Sequence, residues 1–142
     1  MSDPVTLGDG LYAHLSSVLS VGDRVYPLTL PQGAILPAVV HQLVGGEGPL
    51  HSHEDLQAGG AAGRSFQRSR VQLGCWAHSA RAAETLAAEV ETAVDGFAGT
   101  WGDVPIASAL VDISIDDYRP DVGKYRRTVD LIVQWIGGGD EP

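Results

Sequence analysis

His51-Ser52-His53, followed by Glu54 and Asp55, is the stretch of this sequence whose residue types and spacing suit a metal ion, because neutral imidazoles and carboxylates a few residues apart can share one centre. A working site also needs surrounding groups that hold its ligands still. The glycine-rich run from Gly45 to Gly63 supplies no such support, so the pattern reads first as a polar loop and only second as a metal site. Cys75 is the single cysteine, which excludes an intrachain disulfide and a cysteine-based zinc cluster. Between Gly74 and Trp76, on the apolar parity of its strand, it reads as a packed thiol and not a nucleophile.

Asp112, Asp116 and Asp117 could supply paired carboxylates for proton transfer, yet Asp112 and Asp116 fall on the polar parity of an alternating strand. They read as solvated acids. Arg64, Arg68 and Arg70 form the densest basic group and could meet either nucleic acid or an acidic neighbour. With 18 acidic against 9 basic residues and a net charge of −9, the acidic neighbouring subunit is the better match. His14 is expected on a helix face, His78 in a loop, and His41 on the strand face shared by Val39 and Leu43. No Gly-x-Ser-x-Gly, Walker loop or dinucleotide fingerprint occurs, so neither a cofactor nor an enzymatic activity is expected.

The elements that position these residues can be read from periodicity. Leu7, Leu11, Leu15, Val18 and Leu19 recur at helical spacing and predict a first helix. Pro27, Pro31 and Pro37 punctuate an extended surface segment from Tyr26 to Leu36. A strand is expected over Ala38 to Val44, then a long loop over 45–63, then a second strand over Arg64 to Ala77. On that strand Val71, Leu73 and Cys75 share one face, and Phe66, Arg68, Arg70, Gln72 and Trp76 the other. Ser79 caps a second helix marked by Ala83, Leu86, Ala87, Val90, Val94 and Phe97, closed by Gly96 or Gly99.

Alternation of Ala107, Ala109, Val111, Ile113 and Ile115 predicts a third strand, and that of Val129, Leu131, Val133 and Trp135 a fourth, joined by a hairpin loop over Asp117 to Gly123. The expected fold is α+β: an antiparallel four-stranded sheet with two helices packed on one face, in the order α-β-β-α-β-β. Val71, Leu73, Val111, Ile113, Val129, Leu131 and Val133 are its expected core.

The chain has 142 residues, 44 % hydrophobic, the size of one domain with one core. Residues 1–136 are read as that domain and 137–142 as a flexible acidic tail. Without a long apolar run or a signal-peptide layout, a soluble protein made in the cytoplasm is expected.

Several segments in order carry a resemblance: a leucine-striped first helix; Gly22-Asp23-Arg24-Val25-Tyr26-Pro27-Leu28; Leu30-Pro31-Gln32; Leu36-Pro37-Ala38-Val39-Val40; Arg70-Val71-Gln72-Leu73-Gly74-Cys75-Trp76-Ala77; an alanine-rich helix; and Tyr125-Arg126-Arg127-Thr128-Val129-Asp130-Leu131 before Trp135. From about Leu11 to Ile136 the chain thus resembles the tail-completion, or tail-terminator, family of long-tailed phages and related gene transfer agents. The resemblance implies a virion structural protein at the head-proximal end of the tail. It would form a ring with itself, a hexamer, stop polymerisation of the major tail tube protein and join the tail to a head-tail connector or adaptor. DNA would pass through without specific binding, and no membrane is involved. Arg64, Arg68, Arg70, His51 and His53 are then the expected subunit-interface residues. Two other readings remain open: a head-side connector of the neck, and a small metal-dependent enzyme using His51, His53 and Asp55.

Overall fold

A computed structural model of the chain describes residues 6–50, 64–119 and 123–138. Thr6 opens the first helix, α1 (Leu7–Val18), through a capping box: its hydroxyl accepts from the Asp9 backbone N–H while the Asp9 carboxylate accepts from the Thr6 N–H. Leu7, Leu11 and Leu15 are its buried stripe, one helical turn apart. Val18 points to solvent and Leu19, the C-cap, is buried in its place. Ser79 likewise caps α2 (Ala80–Val94), accepting from the Ala82 N–H at 3.1 Å. This helix buries Ala83, Leu86, Ala87, Val90 and Val94, and its Glu89 holds the end of α1 by accepting from the Ser20 N–H and hydroxyl.

The sheet overturns the expected four-stranded antiparallel α-β-β-α-β-β arrangement. Among the described residues it has six strands: β1 (Val25–Pro27), β2 (Ala38–Leu50), β3 (Arg64–Ala77), β4 (Phe97–Trp101), β5 (Val104–Arg119) and β6 (Lys124–Gly138), in the spatial order β1-β2-β3-β6-β5-β4. It is mixed, because β1 runs parallel to β2 while the other pairs are antiparallel. The two additional strands are the short edges. The prolines around β1 confine it to three paired residues, and Phe97, expected as the end of a helix, instead opens β4. The turn between α2 and β4 uses Gly96 at φ 74°, where a side chain would be strained.

Other boundaries also move. β2 continues through Gly45–Leu50, pairing with β3 as far as Phe66, where a loop from Gly45 was expected. β5 extends three residues into the expected hairpin loop, pairing out to Arg119, which faces Lys124 at the start of β6. No helix among the described residues is long and apolar enough to cross a membrane.

Both helices cover one face of the sheet. Val39, Val71, Leu73, Cys75, Ala109, Val129, Leu131 and Val133 meet the helical leucines and valines there in one core. Ile113 departs from its expected core position: the register between β5 and β6 slips between Val111 and Ile113, and the slip carries Ile113 and Ile115 to the opposite face. A second slip, between Ile106 and Ser108, leaves Ala107 exposed and Ala109 buried.

His41 lies on the helix-covered face, its ring beside Gly8 in the first turn of α1. Burial holds its pKa below the ordinary 6.5, with Asp9 opposing the shift. The positive end of α1 disfavours an imidazolium in the same direction. An imidazole with a lowered folded pKa takes up its proton more readily when unfolded, so its contribution is complete above 6.5 and is lost as the pH falls from there toward the folded value. Denaturation midpoints measured in steps from pH 7.5 to 5 should therefore decline below about 6.5, and His41→Gln should flatten that step.

Candidate functional site

Among the described residues the opposite face of the sheet carries no helix, and its side chains line up in rows across four strands. Ala38, Trp76, Arg126 and Asp117 form one row. Val40, Gly74, Thr128 and Ile115 form the next, followed by Gln42, Gln72, Asp130 and Ile113. Beyond these, Arg70 stands beside Ile132 and Leu110. A water-facing side of an antiparallel pair is ordinarily polar. Here β5 instead presents Leu110, Ile113 and Ile115, each about half exposed.

The rows are tied by cross-strand ion pairs. Arg70 donates to Asp112 and Asp130, both at 3.0 Å, which holds its guanidinium protonated more firmly than usual. Arg126 donates to Asp117 at 2.5 Å. On the helix-covered side Arg127 donates to Asp116 at 2.6 Å. The three aspartates that could have formed an acid–base group are thus each engaged by an arginine, and Asp116 and Asp117 face opposite sides of the sheet. Asp112 and Asp116 are ion-paired acids, where the alternation alone reads them as solvated ones.

At one end of this open face the chain from Leu28 to Gly33 folds back over β2 and roofs a cleft of about 410 Å³. The fold-back begins at Leu28, a non-glycine residue held at φ 67° with its N–H donating to the His41 carbonyl. Gln42, Gln72 and Trp76 line the floor, with Lys124, Arg126 and Thr128 beside them. The Arg126 guanidinium lies 5.3 Å from the centre of the Trp76 ring. Gly74 leaves room for this packing, since a Cβ there would make tight contacts of 3.3 Å with both Arg126 Cδ and Trp76 Nε1. The amides, the cations and the indole suit hydrogen bonding and charge pairing with a polar, negatively charged partner.

Arg68 and Arg70 share the open face as their parity requires, but Arg70 is engaged by carboxylates of its own chain. Arg64 opens β3 opposite Gly138, about 20 Å along the strand from Arg70. His51 and His53 lie outside the described residues. Among the described residues no group of three or more histidines, cysteines or acids is placed to hold a metal.

Cys75 is fully buried, and burial foremost pushes its thiol up to about 12. A thiol reagent at pH 8 should leave the folded protein unmodified and label Cys75 only at the rate of unfolding. Rapid labelling without unfolding would contradict the burial.

The cleft residues Lys124 and Arg126 were not singled out as site residues by their sequence context. The pairing of Asp116-Asp117 with Arg126-Arg127 across a hairpin was the available signal for one of them. No protein-family model and no curated protein sequence matches the chain. Among solved structures, a chain from the virion of a native gene transfer agent particle is similar, with a TM-score of 0.51, 16 % identity, and coverage of 88 % of this chain and 86 % of that one. The fold is therefore shared, over 88 % of this chain, with a chain of a gene transfer agent virion.

Proposed function

We propose that the protein is a structural subunit of a tailed phage or gene transfer agent particle. It forms a ring, a hexamer, at the head-proximal end of the tail tube, ends tube polymerisation there and joins the tail to the head connector. The observation that carries this reading is the fold match, over 88 % of this chain, with a chain of a gene transfer agent virion. The order of segments that resembles the tail-completion family narrows it to the terminator position.

The molecule's own chemistry is compatible with that role. A sheet face bearing Leu110, Ile113 and Ile115 beside ion pairs is suited to burial against a neighbouring subunit. A net charge of −9 lets a DNA strand slide past without adhering.

Electron microscopy of particles assembled without this protein tests the proposal. Abnormally long tails unattached to heads are the expected result. Tails of normal length that fail to join filled heads would replace termination with a head-side neck role, and normal complete particles would reject both.

A further inference from the structure

The cleft under the 28–33 segment has the size and chemistry of a peptide site. About 410 Å³ falls within the ordinary range of ligand pockets. Its two glutamines each offer donors and an acceptor, the complement of an extended backbone. Lys124 and Arg126 bring two positive charges, and the described carboxylate paired with them is Asp117, on Arg126. Among the described residues one positive charge is left for an incoming acid. At the rim, Leu28 sits in a backbone region that non-glycine residues seldom occupy and turns its side chain outward, two-thirds exposed. An acidic, extended segment with little side-chain bulk fits this combination.

The chain carries such a sequence where β6 ends: Gly137 and Gly138 close the strand, and Gly139, Asp140 and Glu141 follow. It cannot reach its own cleft. Lys124 and Arg126 stand at the start of β6 and Gly138 at its end, so Arg126 and Gly138 are about 40 Å apart at the rise of a strand. Glu141 extends at most about 11 Å past Gly138. A cleft at one end of the sheet and an acid pair leaving the other end can be joined only between molecules.

We propose that the cleft receives the Asp140-Glu141 segment of a neighbouring copy, the carboxylates meeting Lys124 and Arg126 and the backbone meeting Gln42 and Gln72. Each subunit then has one acidic arm and one receptor, a head-to-tail contact that closes a ring where the rotation permits. The inference rests on the ring reading only in taking copies of the chain to be neighbours.

Two measurements on the full chain test it. In sedimentation velocity, Asp140→Lys with Glu141→Lys should weaken self-association about tenfold or more, and Lys124→Glu should do the same. Combining the three substitutions should restore association to near the starting level. Unchanged association of the acid-reversed variant, or a triple variant no better than its parents, overturns the proposal while leaving the ring reading intact.

The second measurement is independent of assembly. A Gly137–Pro142 peptide titrated into the Asp140→Asn, Glu141→Gln protein should shift the Trp76 indole resonance saturably, and Lys124→Glu should abolish the shift. If the unsubstituted protein is monomeric, the ring reading fails, yet a saturable Lys124-dependent shift still supports the site. A silent Trp76, or a shift indifferent to Lys124→Glu, overturns it.

Discussion

Leu131→Ala is expected to lower stability by about 2–5 kcal/mol, while Ile113→Ala, expected from alternation to share its core face, should cost less than about 0.5 kcal/mol. Leu131 is 0 % exposed and stands in the middle of β6, surrounded by the helix-facing residues of β3 and β5. Truncating it removes apolar atoms from a packed interior and leaves a cavity that neighbouring strands, held in register on both sides, cannot close. Ile113 is 48 % exposed on the open face, so its truncation removes surface that water already reaches. Urea midpoints of the two variants compared at constant slope decide the matter. Equal losses would mean that the slip between Val111 and Ile113 is absent in solution, and that Ile113 packs under the helices after all.

The same contrast separates what periodicity could reveal from what it could not. β3 was legible as two faces: Val71, Leu73 and Cys75 turn inward, while Arg70, Gln72 and Trp76 turn outward, because it pairs with β6 without a slip and the irregularities of its other pairing fall in β2. β5 was legible as a strand but not as a pair of faces. Its register breaks twice with no glycine or proline at either break, and such bulges are set by pairing with β6, which a single strand's pattern does not contain.

β1 and β4 were missed for a different reason. Three and five residues are too few to establish a period, and Gly99 interrupts the alternation of β4. At the candidate site, the pairing of Asp117 with Arg126 could have been counted outward from the hairpin, since Arg119 faces Lys124 and each step inward advances one pair. The partnership of Arg70 with Asp112 could not, as it depends on where the bulge places Asp112. The cleft depends in turn on a fold-back at Leu28, whose positive φ no local residue preference announces.

Trp101→Ala should be among the most destabilising single substitutions, costing about 3–5 kcal/mol, and Trp101→Phe should cost less than half as much. Trp101 is 0 % exposed and is the largest fully buried side chain. It closes the corner where α1, α2 and the edge of the sheet meet. Its ring stacks on His14 at 5.5 Å between centroids, and Phe97 leans against both. His14 in turn is held from α2, its Nε2 lying 2.9 Å from the Ala93 carbonyl. The Trp101 carbonyl approaches α1 so closely that a Cβ at Gly10 would lie 2.8 Å from it, which is why glycine occupies that turn of the helix.

Removing the indole therefore empties a volume bounded by three elements that cannot collapse together. The two indole N–H groups of this core differ, however. Trp135 donates to Ser69 Oγ at 3.0 Å, whereas Trp101 Nε1 is buried without an acceptor among the described residues. An unpaired buried donor costs about 1–3 kcal/mol, and phenylalanine removes that donor while keeping most of the aromatic bulk and the contact with His14. The gain offsets much of the lost packing in Trp101→Phe and offsets little in Trp101→Ala, where the cavity dominates. Chemical denaturation of both variants, with Trp135→Phe as the comparison, measures the difference. Were Trp101→Phe to cost as much as Trp101→Ala, or more than Trp135→Phe, the Trp101 N–H would have to be hydrogen-bonded in solution, and the corner would owe its stability to that bond as well as to packing.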